Sequence, residues 1–212
     1  MKLYIADQTC SQAVQIVANE IGLEPELIHY NVSDRSTSNG EDFAAVNPLQ
    51  YVPVLELDSG AKDRLTETIV ILSHLADRHP QAQLAPAAGT LERAKLDQLL
   101  VFTATEIAQK HIPLMRKLLT QEGAEWTRNK LVRAYTQIDE RLAKSAFVAG
   151  DRFSIADAYV WATMWHKRSG AEIGHLEHLM AWKARMDAHP SVRKALGDEA
   201  AVVAAHRAHQ AA

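Results

Sequence analysis

The chain has 212 residues, of which 47% are hydrophobic and 23% are charged, and its formal net charge is −3. This composition is typical of a soluble globular protein with one or two domains. The slight negative charge and the absence of a long basic run argue against nucleic acid or an anionic membrane as a partner. No apolar run approaches the roughly 20 residues that span a bilayer, and the N-terminus lacks a signal-peptide pattern. We therefore expect a cytoplasmic protein.

Residues 1–80 show the pattern of a small α/β domain. Residues 2–6 predict a short buried strand, residues 11–21 a helix, and residues 26–32 a second strand. A strand, a helix and a strand in this order favour a parallel pair joined by a right-handed crossover. Residues 41–46 predict a short helix.

Two further strand runs and a helix complete this domain. Residues 54–57 form an apolar run opened by Pro53, where a missing N–H does least harm. A turn at residues 58–60 leads to a second run, which ends at Thr66-Glu67-Thr68 before an apolar helix over residues 69–79. The predicted element order is therefore β-α-β-α-β-β-α.

These runs carry two features that suit an extended acidic peptide. If the bond between Val52 and Pro53 is cis, it turns the Val52 N–H and C=O outward, where they can pair with a peptide. Backbone N–H groups at the start of the helix after Glu67 attract a carboxylate. An ordinary edge hairpin followed by a helix is the plain alternative, and the stretch by itself leaves both open.

After a linker over residues 81–89, which is rich in proline, alanine and glutamine, residues 90–212 show only helical patterns. A long helical stretch over residues 90–120 contains Pro113, which we expect to kink or break it. The predicted architecture is an α/β domain followed by an all-α domain. Two further helices are predicted over residues 126–144 and 176–189, and residues 200–212 are expected to fray.

Ser154 and Asp157 have the spacing of a capping box, and we interpret them as a folding device rather than as catalysts. The helix that follows is apolar nearly all round, so it should be buried centrally. Trp161, Met164 and Trp165 are interpreted as core residues, with the lining of a substrate cavity as the alternative.

Cys10 lies where the first strand leads into the first helix, beside that helix's first N–H groups. The helix dipole favours a thiolate there and lowers the pKa of a thiol; it favours the thiolate of a bound thiol ligand equally. A lone cysteine is otherwise most often a small core residue. The Ser11 hydroxyl can donate to a thiolate or cap the helix.

Other candidates are single polar residues. Arg35, in a polar loop, can meet a ligand carboxylate or remain a solvated surface residue, and Gln50 can bind a carboxylate or amide or be an ordinary loop residue. The ten histidines show no HExxH pattern, and one cysteine excludes a multi-cysteine zinc site. We therefore predict no metal site.

The assembly of these features resembles the cytosolic glutathione transferases over almost the whole chain, and within that superfamily it most resembles the bacterial beta class, whose members carry a cysteine at the position of Cys10. No single motif is specific, but their order and spacing are. The supporting matches are Lys2-Leu3-Tyr4, Val46-Asn47-Pro48, Tyr51-Val52-Pro53, Leu65-Thr66-Glu67, Leu84-Ala85-Pro86 and Phe153-Ser154-Ile155-Ala156-Asp157.

The resemblance implies a thioredoxin-like N-terminal domain that binds glutathione, followed by a helical-bundle C-terminal domain. Glutathione is then a co-substrate and no cofactor is expected. Family members are usually homodimers, and their electrophile pocket is built largely by the helical domain. The implied catalytic residues are Cys10 and Ser11; the implied glutathione-binding residues are Arg35, Gln50, Tyr51, Val52, Pro53, Glu67 and Thr68; the expected pocket residues are Thr105, His111 and Trp165.

One departure affects the expected chemistry. Beta-class members usually carry an asparagine and a histidine on the first long helix, where this chain has Val101 and Ala108, and His111 lies one helical turn away. We expect an enzyme that transfers the glutathione thiol to apolar electrophiles or exchanges it with disulfides. Cys10 favours the redox side of this range, and the departure leaves a non-catalytic binding or regulatory protein as the alternative.

Overall fold

The structure, a computed structural model, describes residues 1–59 and 63–210. It divides into two compact units, one made of residues 1–82 together with those from His189 onward, and the other of Gln83–Ala188. The predicted boundary near residue 80 agrees with this division, but the predicted assignment of residues 90–212 to one domain does not. Gly60, in the predicted turn, and residues 211–212 lie outside the described residues.

The first unit contains a mixed four-stranded sheet, with the strand order β2-β1-β3-β4. Strands β1 and β2 are parallel, as the crossover predicted, and β3 is antiparallel to both β1 and β4. The order of strands and helices in this unit is the thioredoxin-like arrangement that the family resemblance implied. Their bounds are β1 Lys2–Ile5, α1 Ser11–Glu20, β2 Glu26–His29, α2 Phe43–Val46, β3 Val54–Glu56, β4 Arg64–Leu65 and α3 Thr68–Arg78.

The central strand β1 is buried on both faces, because Leu3, Tyr4 and Ile5 are all fully inaccessible to solvent. Tyr4 packs in a cluster with Phe43 of α2 and Tyr30 after β2. The Tyr30 and Phe43 rings stack with centroids 4.2 Å apart. Helix α1 packs on α3. Val52, in the segment that leads into β3, packs against the cluster around Tyr4.

The last helix, α10 (Pro190–Gln210), belongs to the first unit because it packs on α1 and β2. It remains helical through residues 200–210, so the expected fraying is wrong there. The helix buries one stripe, at intervals of three or four residues, as a face of a 3.6-residue helix requires. That stripe contains two polar side chains, which hides it from a search for apolar periodicity: Val192, Ala195, Glu199, Val203 and His206.

The second unit is helical among its described residues, as predicted. Leu84, in the predicted linker, is buried, and its carbonyl accepts a hydrogen bond from the Ile155 N–H. None of the helices in residues 1–59 and 63–210 combines the length and apolar character needed to cross a bilayer. The helices of this unit are α4 Leu91–Phe102, α5 Gln109–Met115, α6 Gln121–Leu142, α7 Ile155–Ala162, α8 His166–Ser169 and α9 Glu177–Ala188.

The predicted break at Pro113 does not occur there, because α5 continues through Pro113 to Met115. The irregularity lies earlier, where Thr103–Ala108 form a π-helix between α4 and α5. Hydroxyl groups supplement its backbone bonding. The Thr103 hydroxyl donates to the Leu99 carbonyl at 2.8 Å, and the Thr105 hydroxyl donates to the Val101 carbonyl at 3.1 Å. A π-helix is rare, and hydrogen bonds from threonine hydroxyls to the carbonyls of the preceding turn help to accommodate it.

The predicted capping box is present at the start of α7 and is extended by two more bonds. The fully buried Asp157 carboxylate accepts from the N–H and hydroxyl of Ser154, at 3.0 and 2.9 Å. It also accepts from the Val148 N–H at 2.9 Å and the Trp182 indole N–H at 3.1 Å. Burial raises the pKa of Asp157 to about 6, although these donors lower it. The residue therefore joins α7, α9 and the loop before α7.

We predict that Asp157→Ala lowers the free energy of unfolding by about 3 kcal/mol at pH 7, because it leaves buried donors without an acceptor and removes the cap. The loss should be larger near pH 4. The raised pKa of the Asp157 carboxyl adds to wild-type stability below about pH 4, and this contribution falls as pH rises to about 6. Urea unfolding at both pH values measures it. Asp151→Ala, an exposed neighbour, is the control, and a loss below about 1 kcal/mol would contradict the assignment.

Candidate active site

Cys10 forms the junction between the turn after β1 and helix α1, where it is the N-cap residue and is partly exposed. Its side chain does not cap the helix. Instead the Cys10 thiol donates to the Val52 carbonyl, with 3.5 Å between Sγ and the oxygen. The first turn of α1 contains no acidic residue, so no side chain of that turn offsets the positive end of the helix dipole beside the sulfur.

The turn before Cys10 is fixed by hydroxyl groups. Thr9 Oγ1 donates to the Ala6 carbonyl at 2.9 Å, and the Ser11 hydroxyl lies 2.8 Å from Thr9 Oγ1. Either hydroxyl can be the donor of the second bond, because Ser11 Oγ also lies within 3.4 Å of the Ala6 carbonyl. Ser11 is fully buried, and its hydroxyl is turned toward this turn. The expected donation from Ser11 to a thiolate is therefore not supported, and the residue stabilises the turn instead.

The environment of Cys10 acts on its acidity in the opposite direction from the sequence-based expectation. Burial raises the pKa of the Cys10 thiol, and the negative charge of Glu67 adds to this increase. The Thr68 hydroxyl and the Cys10 backbone N–H lower the pKa, but they do not outweigh burial. The sequence indicated only that Cys10 lies at a helix start, which lowers a thiol pKa. The desolvation that raises the pKa comes from the packing of other residues around the sulfur.

The bond between Val52 and Pro53 is cis, as predicted. Pro53 is buried, Val52 is partly buried, and Tyr51 is 62% exposed. The preceding loop is held by Asn47, whose side-chain amide donates to the Tyr51 carbonyl at 2.8 Å. The Val52 carbonyl is thereby held just before β3, beside the Cys10 sulfur.

Helix α3 begins at Thr68, directly after Glu67, whose backbone has φ 66° and ψ 118°. This conformation is unusual for a residue other than glycine, and such strain is common at ligand sites. The exposed Glu67 side chain does not cap the helix, so the first N–H groups of α3 keep their positive potential. Thr68 is 6% exposed, and its hydroxyl approaches the Cys10 sulfur.

The structure therefore brings together Cys10, Val52, Glu67 and Thr68, which the sequence places in three separate segments. Gln50 lies close by on the same loop as Val52, and its side-chain oxygen accepts from the Tyr30 hydroxyl at 3.2 Å. Arg35 is exposed in the loop after β2 with a left-handed backbone, φ 63°. No contact described for residues 1–59 and 63–210 joins Arg35 to this group.

The sequence model for the N-terminal domain of glutathione S-transferases matches residues 1–77, and that for their C-terminal domain matches residues 102–190. The glutathione S-transferase GstA of Escherichia coli O157:H7 is 34% identical over 200 residues, which cover 94% of this chain and 98% of that protein. The chain belongs to the glutathione S-transferase family. Its predicted family, fold class and enzyme class are thereby confirmed.

Solved structures of this family agree with that assignment. A sphingomonad glutathione S-transferase complexed with glutathione is 33% identical, with a TM-score of 0.88 over 94% of this chain and 99% of that one. The bacterial beta class glutathione S-transferase of Sphingomonas chungbukensis is 34% identical, with a TM-score of 0.87 over 94% and 98% of the two chains. The resemblance to the bacterial beta class rests on the same comparison.

Among the expected pocket residues of this glutathione S-transferase, His111 is fully buried. Its Nδ1 lies 2.8 Å from the Ser169 hydroxyl and its Nε2 lies 2.9 Å from the Tyr135 hydroxyl. Burial lowers the pKa of His111 to about 3, so the ring is neutral. Both ring nitrogens are used inside the helical unit, and this correction removes His111 from the pocket.

Thr105 and Trp165 remain candidates for the pocket. Thr105 is exposed on the π-helix, and Trp165 is partly exposed at the start of α8 with its ring 6.0 Å from the His111 ring. At the positions of the usual asparagine and histidine, Val101 is exposed and Ala108 is buried. His111 does not replace the missing histidine, because its ring is committed elsewhere.

Sequence reasoning missed the buried Glu199 of α10, which stabilises the turn before Cys10. Its carboxylate accepts from the Gln8 N–H at 3.1 Å, from the Gln12 amide at 2.8 Å and from the Gln15 amide at 3.3 Å. A glutamate spaced at helical intervals from Val192, Ala195 and Val203 was the available signal. In the described part of the chain, no three histidine, cysteine, aspartate or glutamate side chains gather as metal ligands do.

We predict that Cys10 reacts slowly with iodoacetamide at neutral pH and that its rate rises at higher pH than the rate of free cysteine, because burial keeps the thiol protonated. Glu67→Gln should move this profile to lower pH, since the Glu67 charge disfavours the thiolate. Asp63→Asn, which removes an exposed charge before β4, is the control. Alkylation of the wild type at lower pH than free cysteine would refute the role given to burial.

Proposed function

We propose that this family member binds glutathione across Val52 and the start of α3 and transfers its thiol to small apolar electrophiles. The observation that carries this proposal is the meeting of the Cys10 sulfur, the Val52 carbonyl at 3.5 Å and the Thr68 hydroxyl. These groups come from a helix start, an extended segment and a second helix start. An extended tripeptide with a central thiol fits such a set.

Each part of glutathione has a complementary group. The backbone of Val52 pairs with the cysteinyl residue, as one strand pairs with another. The uncapped N–H groups at the start of α3 receive the γ-glutamyl carboxylate. The exposed Glu67 carboxylate suits the neighbouring ammonium group by charge. Arg35, Gln50 and Tyr51 complete the proposed site, with Arg35 assigned to the glycyl carboxylate as its charge allows.

The arrangement supports conjugation more strongly than redox chemistry centred on Cys10. The dipole of α1 favours a thiolate on bound glutathione. Because burial raises the pKa of Cys10, this residue stays protonated and can donate to that thiolate. The glutathione sulfur then attacks the electrophilic carbon, and the leaving group departs with its electron pair. Disulfide exchange through Cys10 requires the Cys10 thiolate and is slower at neutral pH.

We also propose that the protein is a cytoplasmic homodimer with a role in detoxification. Its electrophile pocket includes Thr105 and Trp165, and the reaction needs no cofactor. The full-length similarity to glutathione S-transferases supports the homodimer as a property usual in that family.

The non-catalytic alternative has one observation in its favour. Val101 and Ala108 replace the polar residues usual in the beta class, and the buried His111 does not compensate. A protein of this kind binds glutathione but turns over no electrophile. Assays with aryl halides, epoxides, organic hydroperoxides and a mixed disulfide of glutathione separate the two functions.

We predict that Glu67→Gln raises the KM for glutathione about tenfold, since it removes one charge-assisted bond of about 1.4 kcal/mol. The kcat should change less, because the lost contact is distant from the reacting carbon. Initial rates at varied glutathione and retention on immobilised glutathione measure the effect. Asp63→Asn serves as the matched charge control. If wild type ignores immobilised glutathione, or Glu67→Gln equals wild type, the proposed site is wrong.

We predict that Cys10→Ala abolishes disulfide exchange but lowers conjugation about tenfold at most, because only a donor to the thiolate is lost. Cys10→Ser keeps a donor and should conjugate faster than Cys10→Ala. Parallel assays with an aryl halide and a mixed disulfide compare the three proteins. Complete loss of conjugation in both variants would instead make Cys10 the nucleophile.

A further inference from the structure

Two buried histidines of the first unit face each other through the same ring atom. His29 ends β2, and His206 lies near the C-terminal end of α10; they are 3% and 5% exposed. Their Nδ1 atoms are 2.9 Å apart, and the ring planes meet at 80°. A hydrogen bond at this distance requires that one Nδ1 carries a proton and that the other does not.

The outer nitrogens of both rings face acceptors. His29 Nε2 lies 2.8 Å from Asp7 Oδ1, and a carboxylate can only accept. His206 Nε2 lies 3.3 Å from the Ser36 hydroxyl, whose own hydrogen is donated to Asp34 at 2.6 Å. A single proton therefore lies between the two Nδ1 atoms, and the role of each Nε2 atom follows from the tautomer of its ring.

Three charged side chains lie around the histidine pair. Asp7 approaches from the turn after β1 and Asp34 from the loop after β2, while Arg207 of α10 contacts Asp7 at 2.6 Å. The Gln210 amide of α10 donates to Asp34 at 3.0 Å and to Ser36 at 2.6 Å. Two carboxylates thus face one guanidinium beside the two rings. A second Nδ1 proton places positive charge on both buried rings at once.

We propose that the His29–His206 pair is an acid-sensitive latch that holds the end of α10 on the sheet edge at β2. One shared proton keeps the two Nδ1 atoms in contact. A second proton places two hydrogens and two positive rings against each other, and the contact opens. Because Asp7 belongs to the turn that leads to Cys10, opening also frees one support of that turn.

The direction of the pH effect follows from comparing proton binding by the histidine pair in the folded and unfolded chains. Burial lowers the pKa of His29, and the charge of His206 adds to this while Asp7 opposes it. The unfolded chain therefore binds a proton that the closed latch rejects. Stability from the latch is complete above the ordinary histidine pKa of about 6.5 and is lost as pH falls below it.

Amide hydrogen exchange of the full chain, corrected for intrinsic rates, tests the latch at about pH 7.5 and about pH 5.5. We expect residues 203–210 of the wild type to exchange at least about fivefold faster at the lower pH. In His206→Asn, an amide replaces Nδ1; it can donate or accept but cannot take the proton, so this acceleration should disappear. His209→Asn, an exposed histidine on the same helix, should behave like the wild type.

Equal exchange of wild type at both pH values, or undiminished acceleration in His206→Asn, overturns the proposal. If His206→Asn does not fold, imidazole spectra of the wild type still test the proposal. Long-range ¹⁵N–¹H spectra of the imidazoles at about pH 7.5 should show one proton between the two Nδ1 atoms. Protonation of both Nδ1 atoms, or of neither, would refute the latch.

Discussion

The placement of one sulfur atom controls what the first unit can do. The Cys10 thiol is held at the start of α1 by the Val52 carbonyl, from a loop 42 residues further along the chain. Burial there raises the thiol pKa despite the helix dipole. The same positive helix end remains available to a bound thiolate. One site thus favours charge on its ligand while keeping its own cysteine neutral.

Support for that site comes largely from α10. Glu199 accepts bonds from the backbone of Gln8 and from two glutamines of α1. Arg207 of α10 contacts Asp7, which His29 of β2 also contacts. A buried carboxylate is costly unless several donors satisfy it. These contacts therefore fix the turn before Cys10 as a consequence of folding, and they tie its geometry to the last helix of the chain.

Buried polar groups shape the helical unit as well. Asp157 joins α7 and α9 through four hydrogen bonds. The spacing of Ser154 and Asp157 made its cap predictable, but the Val148 and Trp182 bonds depend on distant segments. His111 shows the reverse case, because its position suggested a ligand contact and its packing against Tyr135 and Ser169 gave it a structural one.

The sequence by itself determined the element order, the capping box, the start of α3 after Glu67 and the family. These follow from local periodicity, turn chemistry and the spacing of short motifs, and the family resemblance in turn implied the cis bond between Val52 and Pro53. Only the tertiary structure decided that α10 joins the first unit, that the Ser11 hydroxyl turns inward and that the Cys10 thiol stays protonated. Each of those depends on burial and hydrogen-bond partners supplied by residues far away along the chain, which no local pattern encodes.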